Sequence, residues 1–194
     1  MSENNIFNQQ IVTSRLLLRQ LTLNDVDDMF EFTSNPEVTT HLHWDAHTDK
    51  KQDYDFISAV IARIDKTQSE FTYGIELVAE KKLIGVVKLC NVCLHNKRGE
   101  FTSILNPAYQ GAGYMAEAWQ GLLRFCFEVV ELNRIQSYVT EDNIASQKKD
   151  LRAGMTYEGR LKQYWMRKGV VKDALVYAIT REMYFEIKAK KSNV

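Results

Sequence analysis

Proline is almost missing from this chain: Pro36 and Pro107 are the only two in 194 residues. No repeat, low-complexity tract or Pro- or Ser-rich linker interrupts the sequence, so one domain spanning 1–194, with a core over about 11–185, is the expected organisation. An excess of charge of one sign is also absent, since Lys plus Arg and Asp plus Glu number 25 each. Without a global field, direct partnership with nucleic acid or a membrane surface is not expected. No apolar run approaches the roughly 18 residues of a membrane span. The opening Met1-Ser2-Glu3-Asn4-Asn5 is polar, which makes a cytoplasmic location the expectation. Cysteine is sparse and odd in number. Cys90 and Cys93 have C-x-x-C spacing without a second pair to complete a zinc site, and with Cys126 they read as reduced, buried thiols. His41, His43 and His47 lie close together but have no matching Cys or carboxylate cluster, so no metal is expected.

What the chain does have is a glycine-containing junction, Asn106-Pro107-Ala108-Tyr109-Gln110-Gly111-Ala112-Gly113-Tyr114-Met115-Ala116-Glu117-Ala118, between a strand-like run ending at Leu105 and a helix-like run over 116–129. The first N–H groups of a helix lack intrahelical partners and, with the helix dipole, attract anions. Gly111 and Gly113 let backbone N–H groups approach a pyrophosphate closely. The junction lacks the Lys-Ser/Thr ending of a P-loop and the third glycine of G-x-G-x-x-G.

Gln110-Gly111-Ala112-Gly113 resembles the acyl-CoA loop Gln/Arg-x-x-Gly-x-Gly/Ala of the GNAT superfamily of N-acetyltransferases. Extended to Ala118, it resembles the W-G-K-G-Y-A-T-E-A form of the ribosomal-protein N-terminal acetyltransferase (RimJ/RimL-like) subgroup. Three further segments follow in family order. Thr13-Ser14-Arg15-Leu16-Leu17-Leu18-Arg19 resembles T-x-R-L-x-L-R. Asn143-Ile144-Ala145-Ser146 with Gly154-Met155-Thr156-Tyr157-Glu158-Gly159 resembles N-x-x-S…G-F-x-x-E-G. Arg167-Lys168-Gly169-Val170-Val171-Lys172-Asp173 resembles the closing hairpin R-x-G-x-x-x-D. The resemblance spans nearly the whole chain. It implies acetyl-CoA as co-substrate and direct attack of an acceptor amine on its thioester. Leu105, Asn106, Gln110, Gly111, Ala112, Gly113, Tyr114, Met115, Asn143 and Ser146 would then hold the cofactor.

Periodicity predicts an α/β fold with a mixed, mostly antiparallel sheet flanked by helices. Strands are expected at 11–21, 72–79, 83–94, 100–105, 134–140, 157–167 and 170–181. Helices are expected from a cap at Asn24 or Asp25 to about Thr33, with Met29, Phe30 and Phe32 as core residues, and at 51–66, 116–129 and 144–153. In the second of these, Tyr54, Ile57, Ile61 and Ile64 recur at helical steps.

Acetyl transfer to an amine needs a proton removed from nitrogen, an oxyanion stabilised and a thiolate protonated. By resemblance, Glu158 is the first candidate base and Glu100, at the start of the strand entering the loop, the second. Ser146 is the candidate donor to the thiolate, with helix capping as its plainer role. Many relatives outside the subgroup carry a tyrosine acid seven residues after the asparagine. Here that position is Asp150, an unsuitable proton donor unless its pKa is strongly raised. Lys148 and Lys149, in a stretch commonly apolar, imply looser packing or lysines directed at CoA phosphates. Met115 would narrow the pyrophosphate approach or point into the core. His43, Trp44, Tyr164 and Trp165 are candidates for the acceptor pocket, Trp44 and Trp165 reading equally well as core aromatics. The acceptor stays open between a protein N-terminal α-amine and a small amine such as a polyamine or drug. A non-catalytic acyl-CoA-binding module and a homodimer also remain compatible.

Overall fold

The computed structural model describes residues 9–63 and 69–192. Eight strands form one sheet in the order β1-β2-β3-β4-β5-β6-β8-β7. Strand β1 is Ile11–Val12 and β2 is Leu16–Gln20. They pair antiparallel with Ile11 opposite Leu18, so the single strand expected over 11–21 is folded in two. The break falls at Thr13, whose N–H and Oγ1 both donate to Leu16 O at 3.0 and 3.1 Å.

A tight 3₁₀ turn, Leu23–Asp25, leads into helix α1, Val26–Thr33. Asp25 does not cap α1 with its side chain. Its carboxylate accepts instead from the Thr22 N–H at 2.7 Å and pairs with Arg19 at 2.7 Å. Arg19 holds the Asp25 carboxyl below its usual range against the opposing push of burial. A short helix α2, Pro36–Thr39, follows, and α3 covers Lys50–Arg63. Its buried stripe runs through Asp53 and Ile57 with Val60 against them, leaving Tyr54 48 % and Ile61 40 % exposed. The apolar period thus faces one position away from the expected stripe. The reason is polar: Asp53 is drawn inward by Thr33 Oγ1 at 2.9 Å and His47 Nδ1 at 3.0 Å. Ile64 lies outside the described residues.

Strands β3 (Phe71–Leu77), β4 (Lys82–Cys93) and β5 (Arg98–Leu105) form the expected antiparallel meander. Helix α4, Tyr114–Arg124, continues as one π-helical turn over Phe125–Val129. Strand β6 (Arg134–Val139), helix α5 (Ile144–Arg152), and the long hairpin of β7 (Thr156–Arg167) and β8 (Val170–Thr180) complete the sheet. The last strand stops at Thr180, whose Oγ1 accepts from Met183 N–H at 3.3 Å. From Arg181 the chain becomes a helix, α6 (Arg181–Ser192), absent from the sequence expectation.

One face of the sheet buries Leu16, Leu18, Tyr73, Ile75 and Val87 against Trp119, Leu122 and Phe127. The other buries Leu83 and Val86 against Met29, Phe32 and Ile57. Each fully buried large apolar side chain contributes on the order of 1.5–3 kcal/mol of transfer free energy, which fixes both helical layers. Between them the sheet has one discontinuity. Parallel β5 and β6 pair only through Arg98–Glu100 and Arg134–Gln136, after which β5 stays with β4 and β6 with β8. Beyond Glu100 the two strands diverge, opening a wedge in the middle of the sheet.

Candidate active site

The glycine junction sits at the open end of that wedge. Pro107 starts a 3₁₀ turn, and the buried Asn106 side chain accepts from Ala108 N–H at 3.1 Å. Gly111 and Gly113 have φ of 83° and 81°, left-handed conformations that a Cβ would strain. Gly113 directly precedes α4, so the N–H groups of Tyr114, Met115 and Ala116 open the helix before Glu117 N–H bonds to Gly113 O at 3.0 Å. Arg15 stands beside them. Its Nη1 donates to Ala112 O at 3.0 Å and its guanidinium lies 4.4 Å from the Tyr114 ring centroid.

Glu117 locks this arrangement. Its carboxylate accepts from Thr13 Oγ1 (2.7 Å), Ser14 Oγ (2.8 Å), Arg15 N–H (2.8 Å) and Arg15 Nε (2.6 Å). Burial alone would raise its pKa, but these donors outweigh it and hold the carboxyl at about 2. Two sequence motifs about a hundred residues apart therefore close on one another.

A cleft of about 480 Å³ runs from the junction into the wedge. Leu105, Gln110, Gly111, Gly113, Tyr114, Met115, Asn143 and Ser146 line it, eight of the ten positions expected to hold the cofactor. Asn106 instead supports the turn from beneath, and Ala112 contributes its carbonyl to Arg15. Met115 lines the cleft while packing against the core. Asn143 caps α5 through Ser146 N–H at 3.1 Å. Lys149 turns into the cleft rather than outward, and Asp150 below it is fully buried.

The opposite side of the sheet brings the two candidate bases into one hydrogen-bond chain. Glu100 accepts from Asn91 Nδ2 at 2.8 Å and Gln136 Nε2 at 3.1 Å, and the same Nε2 lies 2.9 Å from the Tyr138 hydroxyl. Gln136 Oε1 accepts from Arg134 Nε at 3.0 Å, and Arg134 grips both Glu158 oxygens at 2.9 and 2.5 Å. That fork holds the exposed Glu158 carboxyl below its usual range. Glu100 sits at the last paired position of β5, the tip of the wedge.

Among the acceptor candidates, Tyr164 stacks on Tyr138 with centroids 5.4 Å apart, and Trp165 meets the same ring edge-on at 6.3 Å. Tyr138 lines the cleft. Arg167 covers the Trp165 ring at 3.7 Å and donates to the His41 carbonyl. Burial lowers the Arg167 pKa. Trp44 packs on His47 at 4.8 Å, while His43 is exposed. His43 and Trp44 are thus on the segment beside the cleft, not among its lining residues. Among the described residues no three His, Cys, Asp or Glu side chains gather as metal ligands.

A family description, acetyltransferase (GNAT) domain, matches residues 15–156, well over half of the chain. The chain belongs to the GNAT family. An uncharacterized N-acetyltransferase of Bacillus subtilis (strain 168), YoaA, is 30% identical over 169 residues, covering 87% of this chain and 95% of that protein. Spermidine N(1)-acetyltransferase of Vibrio cholerae is 22% identical over 173 residues, 89% of this chain and 97% of the relative. Ribosomal-protein-serine acetyltransferase of Escherichia coli (strain K12) is 32% identical over 99 residues, 51% and 55% of the two chains. A GNAT-family acetyltransferase structure from Bacillus anthracis superposes with a TM-score of 0.80 at 24% identity, covering 90% of this chain and 99% of the other. This GNAT protein is an acetyl-CoA-dependent N-acetyltransferase with the family's α/β fold.

Sequence reasoning did not identify Arg15, Glu117, Gln136 or Arg134 as members of the site; of the two lysines weighed as directed at CoA, Lys149 lines the cleft and Lys148 is exposed. Arg15 and Glu117 were inside recognised motifs, but nothing in one sequence pairs residues so far apart. Gln136 and Arg134 reach the same face of β6 through strand alternation, a signal that was available.

Proposed function

We propose that this enzyme acetylates the N-terminal α-amine of a protein, ribosomal proteins being the class to which the resemblance leads. The observation supporting this reading is the charge of the cleft wall. On the acceptor side Arg167 lines it against Trp165, with Glu37 as the one carboxylate among the lining residues, and Lys149 and Arg152 add positive charge from α5. A polyamine carrying several ammonium groups would meet like charge along this wall. An α-amine brings a single charge, with a pKa near 8 rather than above 10, and so needs about 3 kcal/mol less to become the neutral nucleophile at a given pH. The ribosomal and spermidine relatives both remain represented among similar proteins, and this wall favours the former.

In this account the pyrophosphate lies on the N–H groups opening α4 beside Arg15, and the pantetheine arm enters the wedge along the diverging edges of β5 and β6. Glu100, at the wedge tip and held by two neutral amides, is the base, directly or through a water. Glu158 neutralises Arg134 and, through Gln136, fixes Glu100. Ser146 offers its hydroxyl to the thioester sulfur. Tyr138, Tyr164 and Trp165 wall the acceptor side, with His43 and Trp44 on the segment bordering it. Three free thiols, with Cys126 fully buried, support a reducing, cytoplasmic setting. The exposed Tyr164, Met166, Val170 and Val171 on the outer hairpin support self-association at that edge.

The test is steady-state kinetics on an N-terminal peptide panel. Glu100→Gln should lower kcat by about 10²–10⁴-fold, the usual contribution of a general base, and Glu158→Gln by less than Glu100→Gln. A larger loss at Glu158 would return the base role to that residue.

A further inference from the structure

Helix α5 is folded inside out for its composition. Its aliphatic residues Ile144 and Leu151 are each 53 % exposed, whereas Lys149 and Asp150 point inward. Lys149 Nζ crosses the wedge to donate to Ser103 Oγ on β5 at 3.2 Å. It also lies 4.0 Å from the centroid of the buried Trp119 ring on α4 and 3.5 Å from Asp150 Oδ1. Asp150 has no exposed surface and no well-formed hydrogen bond to either carboxylate oxygen; Ser137 on β6 and Lys149 are the groups close enough to oppose the effect of its burial.

Burying a pair of charges with so few hydrogen bonds is weak for stability, because desolvation opposes the Coulomb attraction. Burial lowers the Lys149 pKa and raises that of Asp150, while each partner and the Trp119 face oppose the change. Burial thus makes the Lys149 ammonium more ready to give up its proton than an exposed lysine. It does so on the wall of the cleft that takes the acetyl donor.

We propose that Lys149 is the proton donor to the sulfur of CoA as the thiol departs, with Asp150 as the positioning counter-charge beneath it. The inference rests on acetyl-CoA occupying this cleft. The acceptor nitrogen adds to the thioester carbonyl, the C–S bond breaks with its electron pair on sulfur, and the Lys149 ammonium passes one proton to that sulfur. CoA leaves as the thiol and Lys149 as the neutral amine. The proton shed by the acceptor nitrogen goes to the base, and Lys149 is recharged from solvent through the cleft. An ammonium whose pKa burial lowers is a better acid towards the departing thiolate than an aliphatic hydroxyl. Ser146 is then left with a hydrogen-bonding role.

Lys149→Met, close in volume, and Lys149→Arg test this in the full-length enzyme, by free-thiol release with a peptide acceptor and with water alone. Both reactions end in thiolate departure, so Lys149→Met should lower kcat of each by at least 100-fold while KM for acetyl-CoA moves less than threefold. Wild-type kcat should fall at alkaline pH as Lys149 loses its proton, and that limb should vanish in Lys149→Met. The groups facing Lys149 are Asp150, Ser103 and Trp119, with Tyr177 on β8 acting on Asp150. Lys149→Arg keeps the charge with a proton too firmly held, and should stay impaired.

Three results would overturn the proposal: a rate restored by arginine, an unchanged kcat in Lys149→Met, or acetylation of wild-type Lys149 seen as a mass increase on its peptide. Loss of water-driven thiol release in Lys149→Met, with no peptide acetylated by any variant, would instead sink the acceptor assignment and leave the Lys149 role standing. A wild-type enzyme that releases no thiol with any amine or water would end both.

Discussion

Glu117→Gln perturbs the joint between the amino-terminal strands and the glycine junction that opens α4. In the folded protein four donors fall on this carboxylate, and its pKa moves from 4.5 to about 2. At about 1.4 kcal/mol per unit the full shift would be worth roughly 3.4 kcal/mol. Arg15, its ionic partner among the described residues, is 44 % exposed, so solvent screening reduces this to about 1–2 kcal/mol. For a chain of this size that is a fall in Tm of about 2–8 °C at pH 7. The sign with pH follows from a depressed acid pKa. The stabilisation is fully present above pH 4.5 and is lost as pH falls towards 2, so the gap between variant and wild type should narrow across that window. Urea unfolding at pH 7, 5, 4 and 3 measures it. KM for acetyl-CoA should also rise several-fold, because Arg15 loses the anchor from which it reaches Ala112 O. Equal stability at pH 7, or a deficit that stays constant down to pH 3, would refute the argument.

Further perturbations have defined outcomes. Gly113→Ala places a Cβ on a backbone with φ of 81°, at a cost of about 1–2 kcal/mol; KM for acetyl-CoA should rise, while Gly113→Asn, which tolerates this region, should be milder. Gly85→Ala would put a Cβ 2.5 Å from Ile104 O, on the β5 side of the wedge. It should destabilise by about 1–3 kcal/mol in thermal melts and lower acetyl transfer, whereas a fully active variant would show that β5 can shift freely. If the outer hairpin mediates self-association, Met166→Lys should move the sedimentation coefficient towards that of a monomer; an unchanged value would exclude that edge.

Much of the fold was legible because its signals are local. Alternating β-branched runs marked β3, β4 and β5, and the positive-φ glycines marked the turn into α4. Where the reading failed, a distant polar partner overrode a local apolar pattern. Asp53 faces inward because Thr33 and His47 satisfy it, which rotates the expected stripe of α3. The strand expected over 11–21 breaks because Thr13, Ser14 and Arg15 are taken up by Glu117. Helix α6 escaped notice because its half-buried residues Met183, Tyr184 and Ile187 cover only a narrow stripe. In the candidate site, the glycine junction over 105–115 is one short motif and was readable, whereas Asn143 and Ser146 reach the same cleft only through the fold. The candidate catalytic side was harder, since the Glu100–Gln136–Arg134–Glu158 chain gathers residues from three strands and exists only after β5 and β6 pair.

The most direct test of the central claim is a competition in one vessel: the enzyme, acetyl-CoA, and equimolar amounts of an N-terminal peptide of a ribosomal protein and spermidine, with products identified by mass. The account predicts acetylation at the peptide α-amine, with spermidine largely unmodified and the peptide product lost in Glu100→Gln. Acetylspermidine as the dominant product would contradict it.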